Sequence, residues 1–339
     1  PNTSTDRTIT LPDATGTLLS GAGGRRNLII NGGFDVWQRG TSFTSNWIYT
    51  ADRWKVNLSG ATGTVSRQTF TLGQTDVPNN PKHYSRLSVS AGDNNTALVQ
   101  LIEDVRTTSS QEVTLSFWAK GTNPGGGSFA CLGAQDFGTG GSSDVDVIFS
   151  SSVTVTSSWQ RFSFTITLPS ITGKTVNSDS YLWVDTLRQP SGDTSTDSWE
   201  LDIANVQLEL GSVATDFEYR SYGEELALCQ RYALMIHNGT TSIDRFGLGS
   251  TVNTTQVQML LQHPVGMRAA PSLTTTGTAS DYQVYSATVT ACSVVPASAG
   301  GSQYNSRINF VVSSGLTAGE VSQCSGANTD AYLLLTSEL

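Results

Sequence analysis

Lysine is scarce in this chain. Only Lys55, Lys82, Lys120 and Lys174 occur in 339 residues, and charged side chains make up 14% of the total, well below the usual quarter. Lys and Arg together number 19 against 28 acidic residues, a formal net charge of −9. Nucleic-acid binding needs clustered cations to neutralise phosphates. The one dense basic pair, Arg25-Arg26, reads as a solvated linker, so nucleic acid is excluded as the main partner. No run approaches the roughly 18 apolar residues of a spanning helix, so no membrane insertion is expected. No signal-peptide pattern opens the chain, and it begins at Pro1 without Met; a missing N-terminal portion is the expectation.

Cysteine is also sparse. Cys131, Cys229, Cys292 and Cys324 form no C-x-x-C pair, which leaves a zinc site without support. Cys292 and Cys324 could pair, but isolated thiols flanked by apolar residues are more often buried and free. There are only three histidines, His83, His237 and His263, and no H-E-x-x-H, G-x-S-x-G or P-loop pattern. His237, expected at a helix end, and His263, expected in a loop or edge, read as structural.

What is abundant is Ser (43), Thr (44) and Gly (33). This composition is poor in helix formers and rich in strand and turn formers. It predicts an all-β protein in four segments. Residues 1–26 hold two short strand patterns around the turn Pro12-Asp13-Ala14-Thr15-Gly16 and then a Gly-rich break, too little to bury a core alone. Residues 27–220 are strand after strand. Val113, Leu115, Phe117 and Ala119 alternate with polar residues, as do Phe162, Phe164, Ile166 and Leu168, the period of a half-buried strand. The inward set Leu201, Ile203 then Val206, Leu208, Leu210 slips by one step, which predicts a β-bulge at Ala204-Asn205. Many such strands with Gly-rich turns point to an antiparallel jelly-roll sandwich.

Residues 221–238 read as a linking helix. Ser221-Tyr222-Gly223-Glu224 has the capping-box form. Leu226, Leu228, Cys229, Tyr232, Ala233, Met235 and Ile236 then cover most of the circumference, which predicts a helix buried between domains or subunits. Residues 239–339 return to strands, strongest at Val257–Leu261, Tyr282–Val289, Ile308–Val312 and Ala331–Leu335. This part contains no Lys and no Trp, whereas all seven Trp fall between Trp37 and Trp199. Two separate cores are expected, the second a C-terminal β-sandwich knob.

Several phrases resemble a group of phage tail-fibre and related virion proteins. They are Thr8-Ile-Thr-Leu-Pro-Asp-Ala-Thr-Gly-Thr-Leu-Leu19, Asn27-Leu-Ile-Ile-Asn-Gly-Gly-Phe-Asp-Val-Trp-Gln-Arg-Gly40 with Tyr49-Thr-Ala-Asp-Arg-Trp54, the stretch Asp216 to Tyr232, Pro264 to Pro271, and Leu335-Thr-Ser-Glu-Leu339. The first resembles a fibre-shaft repeat. The resemblance implies a homotrimeric fibre, anchored to other virion proteins through its N-terminus, with a receptor-binding tip and assembly in the host cytoplasm. The middle segment is also similar to jelly-roll carbohydrate-binding modules, through Asn27 to Asp35, Ser116-Phe-Trp-Ala-Lys120 and Asp202 to Glu209. That similarity implies a structural calcium held by Asp35 and Asp202; the alternative is that both are ordinary hydrogen-bonded carboxylates.

Asp52-Arg53-Trp54 can be read as a sugar platform or as a buried ion pair beside a core Trp, and the core reading is preferred. Trp37, Trp118, Trp159, Trp183 and Trp199 are read the same way. Trp47, after the loop Thr44-Ser45-Asn46, is the candidate exposed indole. Tyr282, Tyr285 and Tyr304, set among Ser, Gly and Asn, join it as candidate receptor contacts, because amphipathic aromatics favour recognition surfaces. A glycosidase needs two flanking carboxylates, but 28 acidic residues guarantee such a pair somewhere, and no β-helical repeat appears. Asp144 and Asp146 are a weak hint of a metal or sugar contact. The expectation is a non-enzymatic virion fibre that attaches to a host-surface glycan or receptor. The alternatives are a head-fibre or baseplate decoration without its own receptor, or a glycan-cleaving tailspike.

Overall fold

The computed structural model describes residues 26–92, 95–124, 127–189, 198–237 and 245–339. The shaft segment 1–26 therefore lies outside the described residues except for Arg26. The first twelve strands are β1 (Ser42–Phe43), β2 (Ile48–Tyr49), β3 (Trp54–Asn57), β4 (Ala61–Thr69), β5 (His83–Gly92), β6 (Ala97–Glu103), β7 (Glu112–Gly121), β8 (Phe129–Asp136), β9 (Val145–Val153), β10 (Gln160–Thr167), β11 (Tyr181–Arg188) and β12 (Trp199–Leu210). They form two six-stranded sheets, β1-β4-β5-β12-β7-β10 and β2-β3-β6-β11-β8-β9. From β5 onward the chain crosses repeatedly between the sheets, which wraps a jelly-roll sandwich around one core.

The predicted alternation is realised. On β7, Val113, Leu115, Phe117 and Ala119 are fully buried, with Trp54, Phe34, Phe129 and Leu87 around them in the same core. The bulge is present: the β12–β7 register shifts between Ala204 and Gln207, and Asn205 takes the left-handed conformation at φ 50°. The opening motif docks there. Val206 N–H donates to the Gly32 carbonyl at 2.9 Å, and a Cβ on Gly32 would lie 2.0 Å from the Val206 carbonyl oxygen. Only glycine permits that approach.

The helix is shorter than residues 221–238. Helix α1 (Tyr222–Gln230) has the predicted capping box, Ser221 accepting from Glu224 N–H while the Glu224 carboxylate accepts from Ser221 N–H. Its buried residues are Glu225 and Cys229. The chain then becomes strand β13 (Ala233–His237), so His237 ends a strand and not a helix. The apolar residues read as the rest of the helix pair instead with the chain's last strand, Leu234 opposite Leu335 and Ile236 opposite Leu333.

The C-terminal strands are β14 (Arg245–Thr251), β15 (Gln256–Gln262), β16 (Ser272–Thr274), β17 (Tyr282–Tyr285), β18 (Val289–Gly301), β19 (Asn305–Val312), β20 (Val321–Gly326) and β21 (Tyr332–Thr336). The distal unit is not an open sandwich. Strands β14-β15-β19-β18-β17-β20 close into a barrel, and β13-β21-β16 form a small separate sheet. Closure removes the free edges that an open sheet of this size would leave. The barrel has its own core of Phe246, Met259, Tyr282, Ile308 and Phe310, so the two cores expected from the Trp distribution are present. Cys292 and Cys324 are buried, unlinked thiols.

Candidate functional site on the outer face of the first sheet

The alternation that buries Leu115, Phe117 and Ala119 also turns Ser116, Trp118 and Lys120 outward. On β5 it turns out Tyr84, Arg86 and Ser88, and on β12 Glu200 and Asp202. Register then aligns charge. Asp202 lies opposite Arg86 on one side and Lys120 on the other. Arg86 Nε and Nη2 donate to the two Asp202 oxygens at 2.7 and 2.8 Å, a bidentate fork, and Lys120 Nζ is 3.7 Å from Oδ2. These hydrogen bonds, donated to Asp202, hold the Arg86 guanidinium even more firmly protonated than usual. Glu200, two residues along on the same face, sits 3.2 Å from Arg86 Nη2 and accepts from Ser88 Oγ at 3.2 Å. The Asp202 side chain is 2% exposed and that of Glu200 43%, so Asp202 anchors the network and Glu200 presents it.

An aromatic wall stands beside this floor. Phe70, Tyr84 and Trp159 are mutually in contact with centroids 4.7, 5.2 and 5.3 Å apart, Tyr84 and Trp159 edge to face at 86°. Lys120 Nζ lies 5.2 Å from the Trp159 ring. A groove of about 160 Å³ is lined by Arg86, Lys120, Thr122, Ser157, Glu200 and Asp202. It adjoins a depression of about 540 Å³ that shares Thr122 and Glu200 and adds Thr62, Thr64, Ser88 and Trp199. Trp199 is 3% exposed, and its Nε1–H has no hydrogen-bond partner among the described residues. Below Trp118, a space of about 30 Å³ lined by Asn205, Arg161 and Asp216 has room for a single water. An aromatic wall beside fixed hydrogen-bonding groups suits a pyranose, whose C–H face packs on rings while its hydroxyls meet charged partners.

The sequence candidates fall in different places. Trp47 is 40% exposed, but on the opposite sheet, where it stacks on Trp183 at 5.1 Å. Tyr285 and Tyr304 are 46% and 65% exposed on the distal unit. Tyr282 is fully buried in the barrel core and donates its hydroxyl to the Tyr332 carbonyl at 2.7 Å; it cannot be a surface contact. Tyr282 and Tyr285 are three apart on one strand and so face opposite ways. Of the indoles assigned to the core, Trp37, Trp54 and Trp199 are buried, whereas Trp118, Trp159 and Trp183 lie half-buried on outer faces. Asp52 and Arg53 are buried but do not pair with each other: Asp52 meets Arg39 and Arg53 meets Glu338. Burial pushes the Asp52 carboxyl up, against the attraction of Arg39.

Asp35 and Asp202 do not fit the calcium implied by resemblance. Calcium needs six to eight oxygen ligands, yet both Asp202 oxygens are taken by a guanidinium with an ammonium beside it. Asp35 Oδ1 faces His83 Nδ1 at 3.0 Å. Among the described residues no group of three or more His, Cys, Asp or Glu could hold a metal ion. Asp144, whose carboxyl is pushed up by burial and by Asp136 and Asp146, is one of a surface group of like charges. His263 bonds Gln303 and Ser306, as a structural histidine does.

The chain matches no protein family and no curated protein. Among solved structures it is similar to the enzymatically active domain of bacteriophage CBA120 tailspike protein 4, at 14% identity and TM-score 0.34 over 55% of this chain and 21% of that one. It is similar to a xylan-binding domain of Paenibacillus barcinonensis Xyn10C, at 15% identity and TM-score 0.32 over 47% of this chain and 92% of that one. It is also similar to a family 16 carbohydrate-binding module, at 16% identity and TM-score 0.29 over 54% and 99%. All three overlaps are distant, and nothing about this chain's ligand follows from them.

Proposed function

We propose that this protein is a glycan-binding virion fibre protein that attaches a phage to its host surface, and that it binds without cleaving. The observation that carries glycan binding is the groove over the Arg86–Asp202–Glu200 floor, with the Phe70–Tyr84–Trp159 cluster at its margin, joined to it by Lys120, whose Nζ lies 5.2 Å from the Trp159 ring. Such a groove takes a sugar ring with its C–H face towards the aromatic cluster and its hydroxyls on Glu200, Lys120 and Ser88. Binding without cleavage is favoured because both groove carboxylates are engaged by one guanidinium, not left free to flank a glycosidic bond. The phage setting rests on the resemblance of the Asn27–Gly40 and Asp216–Tyr232 phrases.

A homotrimer suits this role, because three linked grooves turn weak single-site binding into avidity. The outer face of the distal barrel carries Leu248, Leu260 and Val321, exposed by 60%, 55% and 68%, a patch suited to burial against another copy.

The test is titration of the full chain with purified host-surface polysaccharide, alongside a reducing-end assay. Trp159→Ala is expected to weaken binding at least tenfold with an unchanged melting temperature. Unchanged binding by that variant would sink the groove assignment, and new reducing ends would sink the binding-only reading. Light scattering that gives a monomer would remove the trimer.

A further inference from the structure

We propose that the opposite sheet carries a second and separate site, a platform of Trp47 and Trp183 with Lys55, that takes a carboxylated sugar. This goes beyond the groove above and shares no residue with it.

The platform is built by register. Tyr49 lies opposite Lys55, Lys55 opposite Val99, and Asp185 opposite Val99 on the far side, so these side chains form one outward row. In the next row Trp183 lies opposite Leu101. Trp183 packs on the small cluster of Ala97, Val99 and Leu101. Its indole N–H donates to Asp185 Oδ1 at 2.5 Å, and Asp185 is in turn held by Arg188 Nη2 at 2.5 Å. The Trp183 ring is therefore fixed from beneath and from its edge. Trp47 stacks on it with planes 30° apart and centroids 5.1 Å apart, leaving 40% of its surface open. Trp47 is held in the left-handed region, at φ 59°, a conformation that costs free energy for a bulky residue and tends to mark positions under functional constraint.

The cation selects the ligand. Lys55 Nζ lies 4.7 Å from the Trp47 ring centroid and 5.1 Å from that of Tyr49. Among the described residues it makes no ion pair, and its N–H groups meet no acceptor. Burial pulls the Lys55 ammonium's pKa down; Glu338 attracts the charge and Arg53 repels it, and Glu338 is already engaged by Arg39 and Arg53. In a chain of net charge −9 with four lysines, a half-buried ammonium with three unfilled donors beside two stacked indoles is a place for an anion on an apolar ring. A uronic-acid-type pyranose supplies both: its C–H face covers the open indole and its carboxylate meets Lys55. The rival reading is that Trp47 merely covers Trp183 and that Lys55 protects a sheet near its edge from pairing.

The experiment uses the full chain carrying Trp159→Ala, so that the groove contributes little and its failure is read separately. The probes are an oligogalacturonate and the same oligomer with its carboxylates reduced to alcohols, titrated by calorimetry. The oligogalacturonate is expected to bind, and more weakly as salt rises. Lys55→Gln should weaken that binding by about tenfold, the share of one charge-assisted hydrogen bond, and leave the reduced oligomer unaffected. Trp47→Ala should weaken both probes. No binding of the oligogalacturonate, or binding unchanged by Lys55→Gln, would overturn the proposal. Lys55→Gln gives up only the cation's contacts with the Trp47 and Tyr49 rings and keeps a side chain of similar length, so it keeps the test valid should Trp47→Ala fail to fold.

Discussion

The guanidinium of Arg53 lies 3.6 Å from the centre of the Tyr232 ring. Arg53 is 1% exposed, and this stacking joins the first domain to the segment that leads into the second. Arg53 also donates to the Leu101 carbonyl at 2.5 Å and to the Glu338 carboxylate, which Arg39 grips at 2.6 Å. Tyr232 in turn donates to Glu103 at 2.9 Å. A buried cation is tolerated because a carboxylate, a carbonyl and an aromatic face together replace its water. Glu338→Gln strands that cation and is expected to cost about 3 kcal/mol, measured as a shift in chemical denaturation. Arg53→Leu combined with Glu338→Leu should recover much of the loss. If the double variant loses the plain sum of the two single losses, the pair is not coupled as described.

Asp185 should make the sandwich respond to mild acid. Burial raises its carboxyl from 3.8 to about 6, against the pull of Arg188 and the hydrogen bond from Trp183. The folded state therefore binds the proton more readily than the unfolded chain. The penalty of burying the ionised group is fully present above about pH 6 and is relieved as pH falls towards 3.8. Going from pH 7 to pH 5 should yield about 1 kcal/mol of stability from this residue. Because every Trp lies between Trp37 and Trp199, indole fluorescence during urea unfolding reports the sandwich alone. Asp185→Asn, whose amide mimics the protonated acid, should be more stable than wild type at pH 7, and that difference should shrink at pH 5. Equal pH profiles would contradict it.

The barrel thiols offer a second local reporter. Burial pushes Cys292 up to about 11 and Cys324 up to about 12, the latter also through its neighbour Cys292. Neither supplies thiolate at neutral pH, so alkylation in native buffer should be slow and should quicken only as the barrel opens. Rapid labelling, or an intact mass two hydrogens short, would show exposed thiols or a disulfide.

Gly32→Ala is expected to be among the costliest single substitutions. Its Cβ would meet the Val206 carbonyl oxygen at 2.0 Å, breaking the contact that docks the opening motif on the β12 bulge. A loss above about 2 kcal/mol is anticipated from such backbone displacement, read as the indole-fluorescence midpoint in urea. Wild-type stability would mean the motif can move aside freely.

What was legible beforehand divides along physical lines. Local, periodic signals succeeded. The period-two strands, the Ala204-Asn205 bulge and the Ser221 capping box each depend on neighbours within a few residues. Non-local choices were not visible. Nothing near Ala233–His237 announces that its partner is Tyr332–Thr336, about a hundred residues on, so apolar residues on all sides read as helix. Tyr282 and Tyr285 share a neighbourhood in the chain, yet one fills the barrel and the other faces out, because register assigns the faces. The ordinary tendency of indoles places Trp159 in the core, and only the approach of Phe70 and Tyr84 from elsewhere in the chain reveals it as part of an outer aromatic cluster. The partners of Asp202 are cations from β5 and β7, which a linear reading cannot bring together.

The Arg53 contacts also decide how the molecule carries load. The distal unit is tied down twice, by β13 where it leaves the helix and by the tail after β21, and these two strands are zipped to each other. Glu338 on that tail is held by Arg39 and Arg53 of the sandwich, while Gln38 bonds Ala233 and Met235 at the other attachment. Two tethers side by side resist twist where one would act as a swivel. The barrel is therefore joined to the sandwich by two side-by-side strands, each bonded to it, and not by a single linker.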